Sequence, residues 1–125
     1  MTRCDRFLIR NTSAAPAVAR RHVGEVLSDS PPAVVDIVAL LVSELATNCV
    51  RYVKTDFTVS IEQTAHSVRV DVADDDGAGV TMQRPGPDET TGRGLRIVER
   101  LADDWGVTQV VNGRGKSVWF TLQLP

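Results

Sequence analysis

Three groups of polar residues in this chain have types and spacings suited to chemistry. The first is E-L-A-T-N, in which Glu44 and Asn48 stand four apart and so share one face of any helix. An asparagine offers a carbonyl oxygen, the hard kind of donor that Mg²⁺ takes, and a glutamate one turn earlier can orient water or take a proton. The second group is D-D-D-G-A-G, Asp74 to Gly79. A carboxylate there accepts hydrogen bonds, for example from an exocyclic amine such as that of adenine. Gly77 and Gly79 let a ligand approach the backbone without side-chain obstruction. The third is G-R-G-L, Gly92 to Leu95. Opening a helix, Gly92 and Gly94 would expose N–H groups at the positive end of its dipole, an anion site to which Arg93 adds charge. Each group alone is common, since polar pairs occupy wet helix edges and acidic residues with glycine make turns.

The hydropathy pattern supplies the elements that would position these groups. Ala33 to Val53 reads as a helix, with Val34, Ile37, Val38, Leu41, Val42 and Leu45 too numerous for one narrow stripe, the mark of a buried helix. On such a helix Glu44 and Asn48 must face solvent or a polar cavity, because burying an unpaired carboxylate costs on the order of several kcal/mol. Phe57, Val59 and Ile61 alternate, as do Val68, Val70 and Val72, which predicts two strands joined through Q-T-A-H. By the same parity Asp74 shares the valine face and points between the layers if the valines do. G-R-G-L-R-I-V-E-R-L-A-D-D-W predicts a glycine-opened helix with Leu95, Val98 and Leu101 inward. W-G-V-T-Q-V-V and S-V-W-F-T-L-Q-L predict two last strands around an N-G-R-G turn. Upstream, Arg6 to Arg10 reads as a short strand. Pro16 then opens a helix whose stripe is Val18, Val23, Val26 and Leu27. Thr81 to Thr91, with two prolines and no periodicity, reads as a surface loop. The order β-α-α-β-β-α-β-β predicts an α+β fold: a two-layer α/β sandwich with a mixed, mostly antiparallel sheet covered on one face by three helices.

Composition narrows the function classes. The 125 residues suit a single domain, 1–125, and 42% apolar with 24% charged is ordinary globular composition. Fourteen basic against sixteen acidic residues leave a net charge of −2, against direct nucleic-acid binding, which favours a basic excess. Cys4 and Cys49 form neither a metal spacing nor a disulfide framework, so a reducing, cytoplasmic setting is expected. The first ten residues carry no apolar signal core, and no uninterrupted apolar run reaches the roughly 18 residues of a membrane span. His22 and His66 are isolated and read as surface or packing residues.

In order, the three groups resemble the N, G1 and G2 boxes of the Bergerat-fold (GHKL) ATPases, the superfamily of gyrase B and the histidine kinases. The resemblance runs from Val35 to Leu124. S-E-L-A-T-N-C-V-R-Y, G-R-G-L-R-I-V-E-R-L-A-D-D-W-G-V and G-K-S-V-W-F look like signatures of the small stand-alone anti-sigma-factor serine kinases and their actinobacterial relatives. The resemblance implies an ATP-binding domain using Mg²⁺. It implies that Asn48 binds the metal, that Glu44 is the general base, and that Arg51 assists with phosphates. Gly92, Arg93, Gly94 and Leu95 would wrap the phosphates under a lid at Thr81 to Thr91, and Ser117 matches a hydroxyl position near the adenine. The family spacing D-x-G-x-G fits Asp75, Gly77 and Gly79, whereas strand parity selects Asp74, so both acids stand as candidates for the adenine amino group. Tyr52 replaces a histidine frequent four residues after the asparagine, and the lid segment has no lysine.

The chain carries no phosphoacceptor helix pair, so the resemblance implies a kinase that phosphorylates a serine or threonine on a separate anti-anti-sigma (STAS) partner. A sigma factor would be the competing partner, a second copy of the chain a further one, and no membrane or DNA is contacted. The alternative is a non-catalytic or weakly ATP-binding module of the same fold that sequesters a regulatory partner. The detached catalytic domain of a histidine kinase is a third hypothesis, against which the lack of a dimerisation helix pair argues.

Overall fold

Alternating apolar residues build a sheet with one buried face, and two apolar helices and part of a third cover it. The structure is a computed structural model that describes residues 2–53, 55–74, 90–109 and 116–125, with 90–95 and 109 described by secondary structure alone. Among the described residues the order is β1 (Arg3–Ile9), α1 (Ala15–Val26), α2 (Pro32–Tyr52), β2 (Phe57–Gln63), β3 (Ser67–Asp74), α3 (Thr90–Leu101), β4 (Asp104–Gln109) and β5 (Lys116–Gln123). The five strands form one sheet in the order β1-β2-β3-β5-β4. All four ladders are antiparallel, so the expected mixed sheet is antiparallel throughout. Val59 pairs with Val72 and Val72 with Val118, setting one apolar row across the inner face, with all three side chains fully buried.

α1 packs on α2 through Ala15, Ala19, Val23 and Leu27, spaced four apart and all buried. The alanines let the two helices approach closely. Val18, placed inward by the valine stripe, falls beside that row and is 42% exposed. In α3, Val98 is fully buried as expected, but Leu101 at the helix end is exposed. α2 is long and apolar enough to cross a bilayer by length and composition, at mean hydropathy 1.8. The sequence expectation missed this because Asp36, Ser43, Glu44, Thr47 and Asn48 break every uninterrupted run. Half of that stretch is buried inside the domain, where Leu41, Val42 and Leu45 belong to the core.

The start of the chain is fastened to these layers by side chains. His22 on α1 bonds through Nε2 to Asp5 Oδ1 at 2.9 Å and packs against Phe7, so it joins α1 to β1. Asn11, just after β1, reaches the end of α2. Its Nδ2 lies 3.1 Å from the Cys49 carbonyl, 2.9 Å from that of Val53 and 2.8 Å from that of Thr55. Its backbone N–H donates to Asp56 Oδ1 at 2.8 Å. Val53 and Thr55 lie just past the end of α2, where carbonyls leave the helical ladder, and one amide group serves them while adding to the Val53 N–H on the Cys49 carbonyl. Asn11→Ala should therefore cost about 2 kcal/mol, the value of a lost bond plus the carbonyls left bare. Urea unfolding followed by circular dichroism measures it, and an unchanged midpoint would show that water replaces the amide.

The outer face of the sheet is polar. Arg69 donates to Asp71 through Nε and Nη2, at 3.0 and 3.3 Å, and lies 4.5 Å from the Trp119 ring centre. Those bonds to Asp71 raise the guanidinium pKa above its ordinary value. The indole covers Gly106, where a Cβ would stand 2.8 Å from Cζ2, so β4 needs glycine at that point. Val107, an edge residue, is exposed.

Candidate functional site

From Leu41 to Val50 no residue of α2 is fully exposed; Ser43 and Asn48 are buried, and Glu44 and Thr47 are partly covered. Two hydroxyls bond within the helix: Ser43 Oγ donates to the Leu40 carbonyl at 3.0 Å, and Thr47 Oγ1 to that of Ser43 at 2.8 Å. Asn48 is 7% exposed and Glu44 half-buried, and among the described residues neither side chain makes a hydrogen bond or ion pair. A mostly buried amide whose oxygen no described residue engages fits a Mg²⁺ ion that would take its other ligands from water and phosphate oxygens. Among the described residues no three His, Cys, Asp or Glu side chains converge on a metal position.

Asp74 faces Asn48's layer from the sheet. It ends β3 opposite Phe57, on the same face as Val68, Val70 and Val72, and is 2% exposed. The residue after Asn48 links the two sides. Burial raises the Cys49 thiol pKa far above its ordinary value, and the negative charge of Asp74 raises it further. The Asp74 carboxylate is thus within electrostatic reach of the end of α2. Cys4 is exposed while Cys49 is fully buried. With a thiol reagent near pH 8, one cysteine should react at once and Cys49 only on unfolding. Prompt labelling of both in the folded protein would contradict this enclosure.

Of the other sequence candidates, Arg51 lies in the last turn of α2 and is exposed. The third helix starts at Thr90, ahead of Gly92, so Gly92, Arg93, Gly94 and Leu95 lie within its first two turns instead of opening it. Asp75, Gly77, Gly79 and the lid segment 81–89 lie outside the described residues, as does the N-G-R-G turn. Ser117 departs from its expected place. It sits on the outer face of the sheet, away from Asp74, with its hydroxyl 3.3 Å from Asp71 Oδ2. The inner-face residue at that end of β5 is its neighbour Lys116, 8% exposed. Alternation along K-S-V-W-F-T-L, with Val118, Phe120 and Leu122 inward, was the signal that could have found it.

A buried asparagine and a buried aspartate stand on facing layers of the two-layer sandwich, a pair of groups suited to a metal-bound purine nucleotide. Comparison with known proteins agrees with that geometry. No curated protein matches this chain in sequence. Among solved structures, it resembles the crystal structure of the RsbU and RsbW domains of Rv1364c from Mycobacterium tuberculosis, with a TM-score of 0.72 and 16% identity. That likeness covers 98% of this chain but 32% of the other, so this chain spans about a third of it and the likeness is one of fold. The histidine kinase-like ATPase domain matches residues 9–122. With that match over most of its length, the chain belongs to the histidine kinase-like ATPase domain family, whose fold binds ATP.

Proposed function

We propose that this chain is a cytoplasmic regulatory protein kinase and anti-sigma switch. It binds Mg-ATP between α2 and the sheet and transfers the phosphoryl group to a serine or threonine of an anti-anti-sigma (STAS) partner. A sigma factor is held in competition with that partner, so transcription is controlled without contact between this chain and DNA. The observation that carries the proposal is the pair Asn48 and Asp74, both over nine-tenths buried on facing layers, with Glu44 one turn from Asn48. The motif order and the W-G-V and K-S-V-W endings support the anti-sigma subgroup.

Phosphoryl transfer needs positioning and charge neutralisation more than covalent chemistry. Asp74, with Asp75 as the alternative, accepts from the adenine amino group. Asn48 would hold Mg²⁺ through its amide oxygen, and the ion would supply charge neutralisation for the phosphates. Arg51 and the Gly92 to Leu95 stretch with Arg93 supply the remaining phosphate contacts. Glu44 takes the proton of the attacking hydroxyl. Free Cys4 and Cys49 suit a reducing compartment. A second copy of the chain is a further partner, and sedimentation tests that part separately.

Incubation with a STAS partner and Mg-ATP should yield phosphoserine or phosphothreonine on the partner. A partner bound but never modified, at millimolar ATP, would favour the non-catalytic module, which Tyr52 and the lysine-free segment 81–91 also suit. A phosphohistidine product would instead indicate the detached domain of a histidine kinase.

A further inference from the structure

The inner face of the sheet carries a cation beside its acid. Lys116 begins β5 and is 8% exposed, and Val118 and Phe120, two and four residues on, are core. The β3–β5 ladder pairs Val72 with Val118 and Ala73 with Ser117. One further step in that register sets Asp74 opposite Lys116, on the same inner face. Side chains so placed stand roughly 5 Å apart at Cβ. Among the described residues the Lys116 ammonium makes no hydrogen bond or ion pair. The stem of Lys116 is covered while its ammonium is not sealed off, so that group can turn to an acceptor that a ligand brings beside Asp74.

An adenine edge carries a donor and an acceptor side by side, the amino group and the adjoining ring nitrogen. We propose that Lys116 donates a hydrogen bond to that ring nitrogen while Asp74 accepts from the amino group, so that the two together select a 6-aminopurine. This rests on Asp74 holding the base. Lys116 is then a base-reading residue and has no part in binding the phosphates, which lie toward Asn48 on the helical layer in the same arrangement.

The test is calorimetric titration of the wild type, Lys116→Met and Lys116→Gln with Mg-ATP and with 1-deaza-ATP, whose C–H replaces the ring nitrogen. Methionine keeps the buried apolar stem and glutamine keeps a neutral donor, and thermal melting reports whether each variant is folded. The wild type should bind ATP about tenfold more tightly than the analogue, the effect of one charge-assisted hydrogen bond. Lys116→Met should bring ATP down to the analogue's affinity and leave the analogue unchanged, and Lys116→Gln should keep part of the preference. Equal weakening of both nucleotides in Lys116→Met, or no preference in the wild type, would overturn the assignment while leaving Asp74 in its role. A folded wild type that binds neither nucleotide would remove the role of Asp74, and this assignment with it.

Discussion

ATP affinity should fall by about 100-fold in Asp74→Asn, with the fold intact. A hydrogen bond to a charged group contributes about 1.5–3 kcal/mol, or 10- to 100-fold in affinity. The carboxylate is 2% exposed, so water cannot take its place for the bound base. An amide of the same shape turns a pure acceptor into a half-donor and puts one N–H against the ligand's own amino group. Titration of Asp74→Asn beside Asp75→Asn separates strand parity from motif spacing. Parity predicts the large loss at Asp74 and a small one at Asp75. The reverse result would mean that the D-x-G-x-G spacing, and Asp75 with it, sets the base contact.

Glu44→Ala should slow phosphotransfer to a STAS partner by about 10²- to 10⁴-fold, the usual contribution of a positioned general base. ATP affinity should change by less than about threefold, because Glu44 lies a turn away from Asn48 and on the opposite layer from Asp74. The two readings divide the roles: a rate effect without an affinity effect marks the proton acceptor, and an affinity effect marks a binding residue. An unchanged transfer rate would remove Glu44 from the chemistry.

Much of the frame was legible because period and burial coincide. The period-2 valines of β3 fixed the face of Asp74, and the nearly all-round apolarity of α2 narrowed Glu44 and Asn48 to solvent or a polar cavity, between which only the fold decides. What stayed hidden depends on tertiary partners. Val18 looked inward by spacing, but close packing of α1 on α2 uses Ala15 and Ala19, residues with too little hydrophobicity to stand out. Asn11 and His22 act through contacts across the chain, with carbonyls 38 to 44 residues away for Asn11 and with Asp5 and Phe7 on β1 for His22. Ser117 was placed by motif likeness alone, and one residue of register puts it on the wrong face; parity along β5 selects Lys116 instead.

The cleft can be tested against the rest of the molecule in one measurement. A separate cavity of about 250 Å³ lies between β1, β2 and the end of α1, lined by Arg3, Asp5, Val26 and Gln63. It sits at the opposite end of β2 from the Phe57–Asp74 pair. In an amide NMR titration with Mg-ATP, the largest shifts should fall on Glu44 to Cys49 and on Ala73 and Asp74, with Arg3 to Asp5 and Gln63 unmoved. Shifts confined to the Arg3–Gln63 end, or none at millimolar nucleotide, would contradict a nucleotide held between Asn48 and Asp74.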